Sequence, residues 1–298
     1  MDEQGWLTER FEAHRARLCG VAYRLLGSLS EAEDAVQEAW LRLQRADAAG
    51  VENLGGWLTT VVSRVCLDML RARRARREEP LDGPGSPPQL VRGDGADPEG
   101  EAVLADSVGV ALLVVLDTLS PAERLAFVLH DLFAVPFDEV AAIMQRSPDA
   151  AKQLASRARR RVRGSPARSD AGWARRREVV EAFLRAARAG DLQGLLAVLD
   201  PDAVIHIDAA ARLDAPPSEV GQPREVRGAS IWARYIVAAG PRLPLGQLAV
   251  IDGAVGLIHA PRGKLARAMT FTFAGASVTR VEVIADPARL RALAVAVL

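Results

Sequence analysis

At 298 residues and 31.9 kDa the chain is longer than one small domain, and a composition of 49% hydrophobic and 26% charged residues excludes a disordered or collagen-like protein. Its longest apolar run, 108–116, is far too short to span a membrane, and the polar start MDEQGWLTER has no secretory apolar core. The formal net charge of +0 conceals a strong pattern: five Arg and no acid in 71–77, seven acids against Arg92 in 79–106, and eight cations against Asp149 in 146–168. Two basic stripes flanking an acidic segment suit a protein that grips a polyanion at two places, although a solvated helix face explains either stripe alone. Cys19 and Cys66 have no metal-ligand spacing and form no disulfide framework, which fits a reducing, cytoplasmic compartment without a metal.

Leu7, Phe11, Leu18, Val21 and Leu25 return at helical steps, so 7–26 is predicted as a helix that Gly27 ends. Ser30 with Glu33 is expected to form a capping box opening a second helix to about Arg45, with Val36, Ala39, Trp40 and Leu43 inward. A loop is expected over 48–56, then a third helix from Trp57 towards Arg77. The acidic, Pro- and Gly-rich 79–106 reads as a flexible linker. Helices resume at about 107, where Ser120-Pro121-Ala122-Glu123 joins a cap, a first-turn proline and the reciprocal Glu. A short helix over 137–144, a tight turn at 145–148 and a cation-rich helix to Arg163 follow, and 164–172 is a second linker.

From 173 the rhythm changes. Helices at about 174–189 and 191–199 precede a strand at 203–208 and a helix at about 228–239. Four strands then form a meander, 245–251, 254–259, 265–273 and 277–284, with glycine turns at their junctions and a closing helix from Asp286-Pro287. Helices followed by an antiparallel sheet indicate an α+β unit, a sheet curled under a helical cover.

The pair of helices at 137–163 has the layout of a helix-turn-helix. Ala151, Ala155, Ala158 and Val162 would face the core, leaving Lys152, Gln153, Ser156, Arg157 and Arg160 to solvent, where early residues of such a helix reach base edges and later cations grip phosphates. Trp57 with Asn53 and the Arg run suits unstacked single-stranded bases. In the last unit, His206 and Asp208 alternate with Ile205 and Ile207 and could share a pocket face as an acid–base pair, with His259 and Arg267 as further pocket candidates. A polar rim or a structural histidine is the plainer reading of both.

Three motifs carry a family resemblance: Asp34-Ala-Val-Gln-Glu-Ala-Trp40-Leu-Arg-Leu43, Gly56-Trp57-Leu58-Thr59-Thr60 through Asp68, and Leu119-Ser120-Pro121-Ala-Glu123-Arg124. In order and spacing they resemble the extracytoplasmic-function sigma factors, group IV of the sigma-70 family, over about 6–163. The resemblance implies a multidomain protein: region 2 as a helical bundle (1–78), the linker 79–106, region 4 as a helix-turn-helix (107–163), the linker 164–172, and at 173–298 a unit similar to the SnoaL-like cone-shaped barrel. It places Asp34, Gln37, Glu38, Trp40 and Leu41 on the core RNA polymerase clamp. Asn53, Trp57, Arg64, Arg71 and Arg74 fall at −10 promoter DNA, and Ser147, Lys152, Gln153, Ser156, Arg157 and Arg160 at the −35 element.

Sigma factors with such an extension carry a DGGGK-like loop, here Asp208-Ala209-Ala210-Ala211-Arg212, in which the glycines are replaced by alanines that restrict positive φ. They also carry an NPDKL-like motif, here Asp286-Pro287-Ala288-Arg289-Leu290; their aromatic linker motif is poorly kept at 79–84. The resemblance therefore implies a non-enzymatic, monomeric promoter-specificity subunit without cofactor or membrane attachment. His206, Asp208, Arg212, Asp286, Pro287, Arg289 and Leu290 would form a regulatory region, with a small ligand possible in the barrel. The alternatives are a SnoaL-like isomerase or hydrolase fused to a DNA-binding module, and an activator that binds DNA beside a resident sigma factor.

Overall fold

The computed structural model describes residues 3–46, 53–78, 109–164, 171–211, 224–239 and 246–298. The 79–106 linker, most of the 164–172 linker and Arg212 lie outside these residues. The chain forms two compact units, Met1–Gly109 with Leu116–Arg159, and Val110–Val115 with Arg160–Leu298.

The first unit begins with three packed helices, α1 (Glu3–Leu26), α2 (Leu29–Arg45) and α3 (Leu54–Glu78). Leu18, Leu25, Ala39, Leu43, Leu58 and Val62 are at most 1% exposed, so the apolar rows read from periodicity form the core. Gly27 at φ 74 turns the chain out of α1. The cap of α2 is Ser28, whose hydroxyl accepts the Glu31 N–H; the box expected at Ser30 and Glu33 does not form because α2 starts directly after the Gly27 turn. Helix α3 begins three residues before Trp57, since the Asn53 side-chain oxygen accepts the Gly56 N–H at 2.9 Å and caps it.

Helix α4 (Val110–Thr118) leads to α5 (Pro121–Phe127), which continues through one wide π-type turn, Val128–Leu132. The Ser120–Glu123 capping box is present in both directions: the Ser120 hydroxyl accepts the Glu123 N–H, and Glu123 accepts the Ser120 N–H at 3.1 Å. Ser120→Ala removes one of these bonds and is expected to lower stability by about 1 kcal/mol, seen as a lower urea midpoint at unchanged m. Helices α6 (Phe137–Met144) and α7 (Pro148–Arg163) follow, joined through Gln145 in the left-handed conformation at φ 55.

Two arginines tie these helices to α1–α3. Arg124 is 3% exposed; it donates Nε to the Arg24 carbonyl at 3.1 Å and lies 3.6 Å from Asp117. Burial pushes its guanidinium down to about 10, opposed by Asp117. Arg64 on α3 donates to the Ala142 carbonyl on α6 at 3.3 Å. Cys66 is fully buried beneath them, and desolvation pushes its thiol up to about 12; burial also raises the half-buried Cys19.

In the second unit, helices α8 (Ala171–Ala189), α9 (Leu192–Val198) and α10 (Ala229–Ala239) accompany one seven-stranded sheet ordered β2-β1-β6-β5-β4-β3-β7. The strands are β1 (Leu199–Ile207), β2 (Arg224–Arg227), β3 (Gln247–Ile251), β4 (Ala254–His259), β5 (Arg267–Ala274), β6 (Ser277–Ile284) and β7 (Val295–Ala296). β3 to β6 are the expected antiparallel meander, while β1 joins β6 in parallel. The short edge strands β2 and β7 are additions to the expected set. This is the α+β layout expected for the unit. One sheet face, with Ile205, Val281 and Phe271, packs against Phe183 of α8 and Trp232 of α10. The other, with Ile251, Ile258 and Ile284, is covered by Ala111 and Val114 of α4 and by Leu290 of α11 (Pro287–Ala292).

Candidate nucleic-acid interface

Helix α7 separates its residues by spacing. Ala151, Ala155 and Ala158 are at 0% exposure and Leu154 and Val162 are also buried, so small residues let the helix sit close against its neighbours. Lys152, Gln153, Ser156, Arg157 and Arg160 are all exposed, as the sequence predicts. Ser147 accepts the Ala150 N–H at 3.2 Å and so caps the helix. Lys152 makes a solvent-exposed 3.3 Å contact to Asp149. Arg159 turns back to Asp131 at 2.5 Å, fixing α7 against the π-type turn and leaving the exposed row to its neighbours. The row thus offers an amide, a hydroxyl and cations along one face, the donor set that reads base edges and neutralises phosphates.

On α3, Trp57, Arg64 and Arg71 recur at seven-residue steps and share a face. Trp57 is half-buried in the first turn, and Arg71 lies 3.6 Å from Asp68. The basic run is not uniformly solvated. Arg74 is exposed, whereas Arg73 folds back to pair with Glu31 and donates to the Leu26 carbonyl at 3.0 Å, a structural role the charge count alone did not reveal. The Asn53 side-chain oxygen caps α3, and one Arg64 guanidinium nitrogen donates to the Ala142 carbonyl.

Asp34, Gln37, Glu38 and Leu41 form a continuous outward stripe on α2 at three- and four-residue steps, with Leu41 37% exposed. Glu38 is held by Arg42 at 2.9 Å. Trp40 lies half-buried beside this stripe, its ring 4.9 Å from that of Phe11.

The two C-terminal motifs meet. The Asp208 carboxylate accepts the Asp286 N–H at 3.1 Å and the Ala285 N–H at 3.4 Å, and lies 3.4 Å from Arg289. Arg289 also donates to Glu282 at 2.6 Å, and Asp286 caps α11 ahead of Pro287. Leu290 is buried below. Glu282 stands between Val281 and Val283, an alternation that marks an outward position but does not name its partner.

His206 pairs in register with Glu282, on the sheet face opposite Ile205 and Ile207. The expected His206–Asp208 pocket pair is therefore corrected: the core claims the isoleucines, and alternation turns His206 away from it. Burial raises the Asp208 carboxyl, but the N–H donors of Asp286, Ala285 and Ala210, with Arg289, outweigh it and hold the group below its ordinary range. A depressed folded-state value means stability present above the ordinary carboxylate range and lost as pH falls through the folded value. Asp208→Asn is expected to cost about 1–2 kcal/mol at pH 7 and to flatten the acid limb of unfolding, read by urea titrations from pH 7 to pH 3.

Residues 10–76 match the model of sigma-70 region 2, and residues 109–162 that of sigma-70 region 4. The chain is 43% identical over 254 residues to the ECF RNA polymerase sigma factor SigJ of Mycobacterium tuberculosis, covering 83% of this chain and 78% of the relative. It is 33% identical over 290 residues to the probable ECF RNA polymerase sigma factor SigI of the same organism, covering 97% of each chain. The crystal structure of SigJ aligns at 36% identity and a TM-score of 0.45, covering 95% of this chain and 98% of that one. No described helix is long and apolar enough to cross a membrane. By these matches across both helical regions and nearly the whole length, the chain belongs to the ECF RNA polymerase sigma factors.

Proposed function

We propose that the protein is a cytoplasmic, monomeric promoter-specificity subunit that joins core RNA polymerase and directs transcription initiation. In this reading 1–78 act as region 2, 107–163 as region 4 and 173–298 as a regulatory domain, with 79–106 and 164–172 as linkers. The α2 stripe of Asp34, Gln37, Glu38 and Leu41, with Trp40, docks on the polymerase. Ser147, Lys152, Gln153, Ser156, Arg157 and Arg160 meet the −35 element, and Asn53, Trp57, Arg64, Arg71 and Arg74 meet −10 DNA. Affinity comes from phosphate neutralisation and specificity from base contacts, so the role needs no chemistry of the protein's own.

The observation that carries this reading is the exposed row Lys152–Arg160 on a helix whose opposite side is buried alanine. Transcription from a cognate promoter with purified core polymerase tests it; start-site selection that depends on the added chain is the expected outcome, and its absence rejects the reading.

The C-terminal unit regulates the sigma regions in cis. The Asp208–Arg289–Glu282 network supports this, because it joins the two motifs of the appended unit and fixes α11 to the sheet. Removing 173–298 changes promoter output; equal output from both forms counts against regulation.

A further inference from the structure

We propose that the helix-covered face of the C-terminal sheet binds a singly charged organic carboxylate with an apolar body, held by Arg267 beside Trp232, Tyr235 and His259. Period-two alternation places Arg267 on the face of Met269 and Phe271, and His259 on that of Val255 and Leu257. The two are directly opposite in the β4–β5 register, so a cation and an imidazole stand together where the sheet otherwise carries apolar side chains.

Arg267 has no ion-pair partner among the described residues, and its Nε is buried without an acceptor. Trp232 is 1% exposed, and its indole N–H is likewise buried without an acceptor. The rings of Trp232 and Tyr235 stack at 5.4 Å, and the Tyr235 phenol is within electrostatic reach of the guanidinium. Burial, then the neighbouring Arg267, lowers the His259 imidazole below its usual value and favours its neutral form. Among the described residues, two buried donors and a desolvated cation therefore lack acceptor and counter-charge, and burying such groups without partners costs several kcal/mol in general.

A carboxylate supplies what is absent. Its oxygens accept from the guanidinium fork, and its single charge balances the single cation. A doubly charged phosphate would bring one charge too many beside a neutral imidazole. Leu257, Met269 and Phe271 around the cation favour an aliphatic or aromatic body over a small hydrated ion. The site is independent of promoter reading, because none of its residues belongs to the sigma regions.

The test uses the full-length chain in thermal unfolding and calorimetric titration with sodium octanoate, benzoate, octanamide and inorganic phosphate. At least one of the two carboxylates raises Tm, by about 2–5 °C at saturation, while octanamide and phosphate leave it unchanged. Arg267→Gln abolishes the response. Should that variant fail to fold, Arg267→Lys, which keeps the charge but loses the fork, must weaken carboxylate binding tenfold or more. No response to either carboxylate, an equal response to octanamide or phosphate, or a response retained in the Arg267 variant overturns the proposal. The unsubstituted protein, assayed without these compounds, still directs promoter transcription under every one of these outcomes, which separates failure here from failure of the sigma-factor reading.

Discussion

Arg157→Ala is expected to weaken binding to −35 duplex DNA by about 1–3 kcal/mol, roughly 5- to 150-fold, with relaxed preference at one base position if the side chain reads a base. Arg157 sits in the exposed row of α7, opposite fully buried Ala151, Ala155 and Ala158, so its removal leaves the packing of the helix intact. Unaltered unfolding together with weakened DNA binding, measured by fluorescence anisotropy over a salt series, is the signature. A phosphate contact instead lowers affinity evenly across sequences and reduces the salt slope by about one. Arg159 supplies the contrast: its ion pair with Asp131 makes Arg159→Ala a stability variant of the helix-turn-helix. Unchanged affinity in Arg157→Ala would remove that residue from the interface.

The largest effect on stability is expected for Arg124→Ala, a loss of about 2–4 kcal/mol. The guanidinium is 3% exposed and bonded to the Arg24 carbonyl, so truncation leaves a buried backbone acceptor unsatisfied and a void where the side chain packed. Asp117, 38% exposed, can return to water, which keeps the cost below that of stranding a fully buried carboxylate. A urea midpoint that falls accordingly checks the estimate, and Arg124→Lys recovers part of the loss because its single ammonium cannot span both acceptors. A loss under about 0.5 kcal/mol would show that Arg124 does not fasten α5 to α1.

Local signals carried most of the secondary structure. The caps at Ser120 and Asp286 and the turns at Gly253 and Gly275 are chemistry within a few residues, and the helices and hairpins they bound lie where the sequence predicts. The misplaced cap of α2 shows the limit: Ser28 and Ser30 both suit an N-cap, and the choice was made by where Gly27 releases the preceding helix. What eluded the sequence is non-local. The parallel pairing of β1 with β6 spans some seventy residues, and the two-residue β7 has no periodicity to detect. The candidate DNA row on α7 was legible because alanine spacing marks its buried side. The inward position of Arg267 and the outward one of His206 depend on which face of the sheet the helices cover, and no local pattern states that.

The two thiols have a consequence for signalling. Burial pushes the Cys66 thiol up to about 12, so it stays protonated at pH 7, and the packed core surrounds the sulfur. Cys19, held above its ordinary value by burial, is also a poor nucleophile. Peroxide and other electrophiles therefore meet a buried thiol at Cys66 and a half-buried, protonated one at Cys19, surroundings that slow sulfenate formation at both.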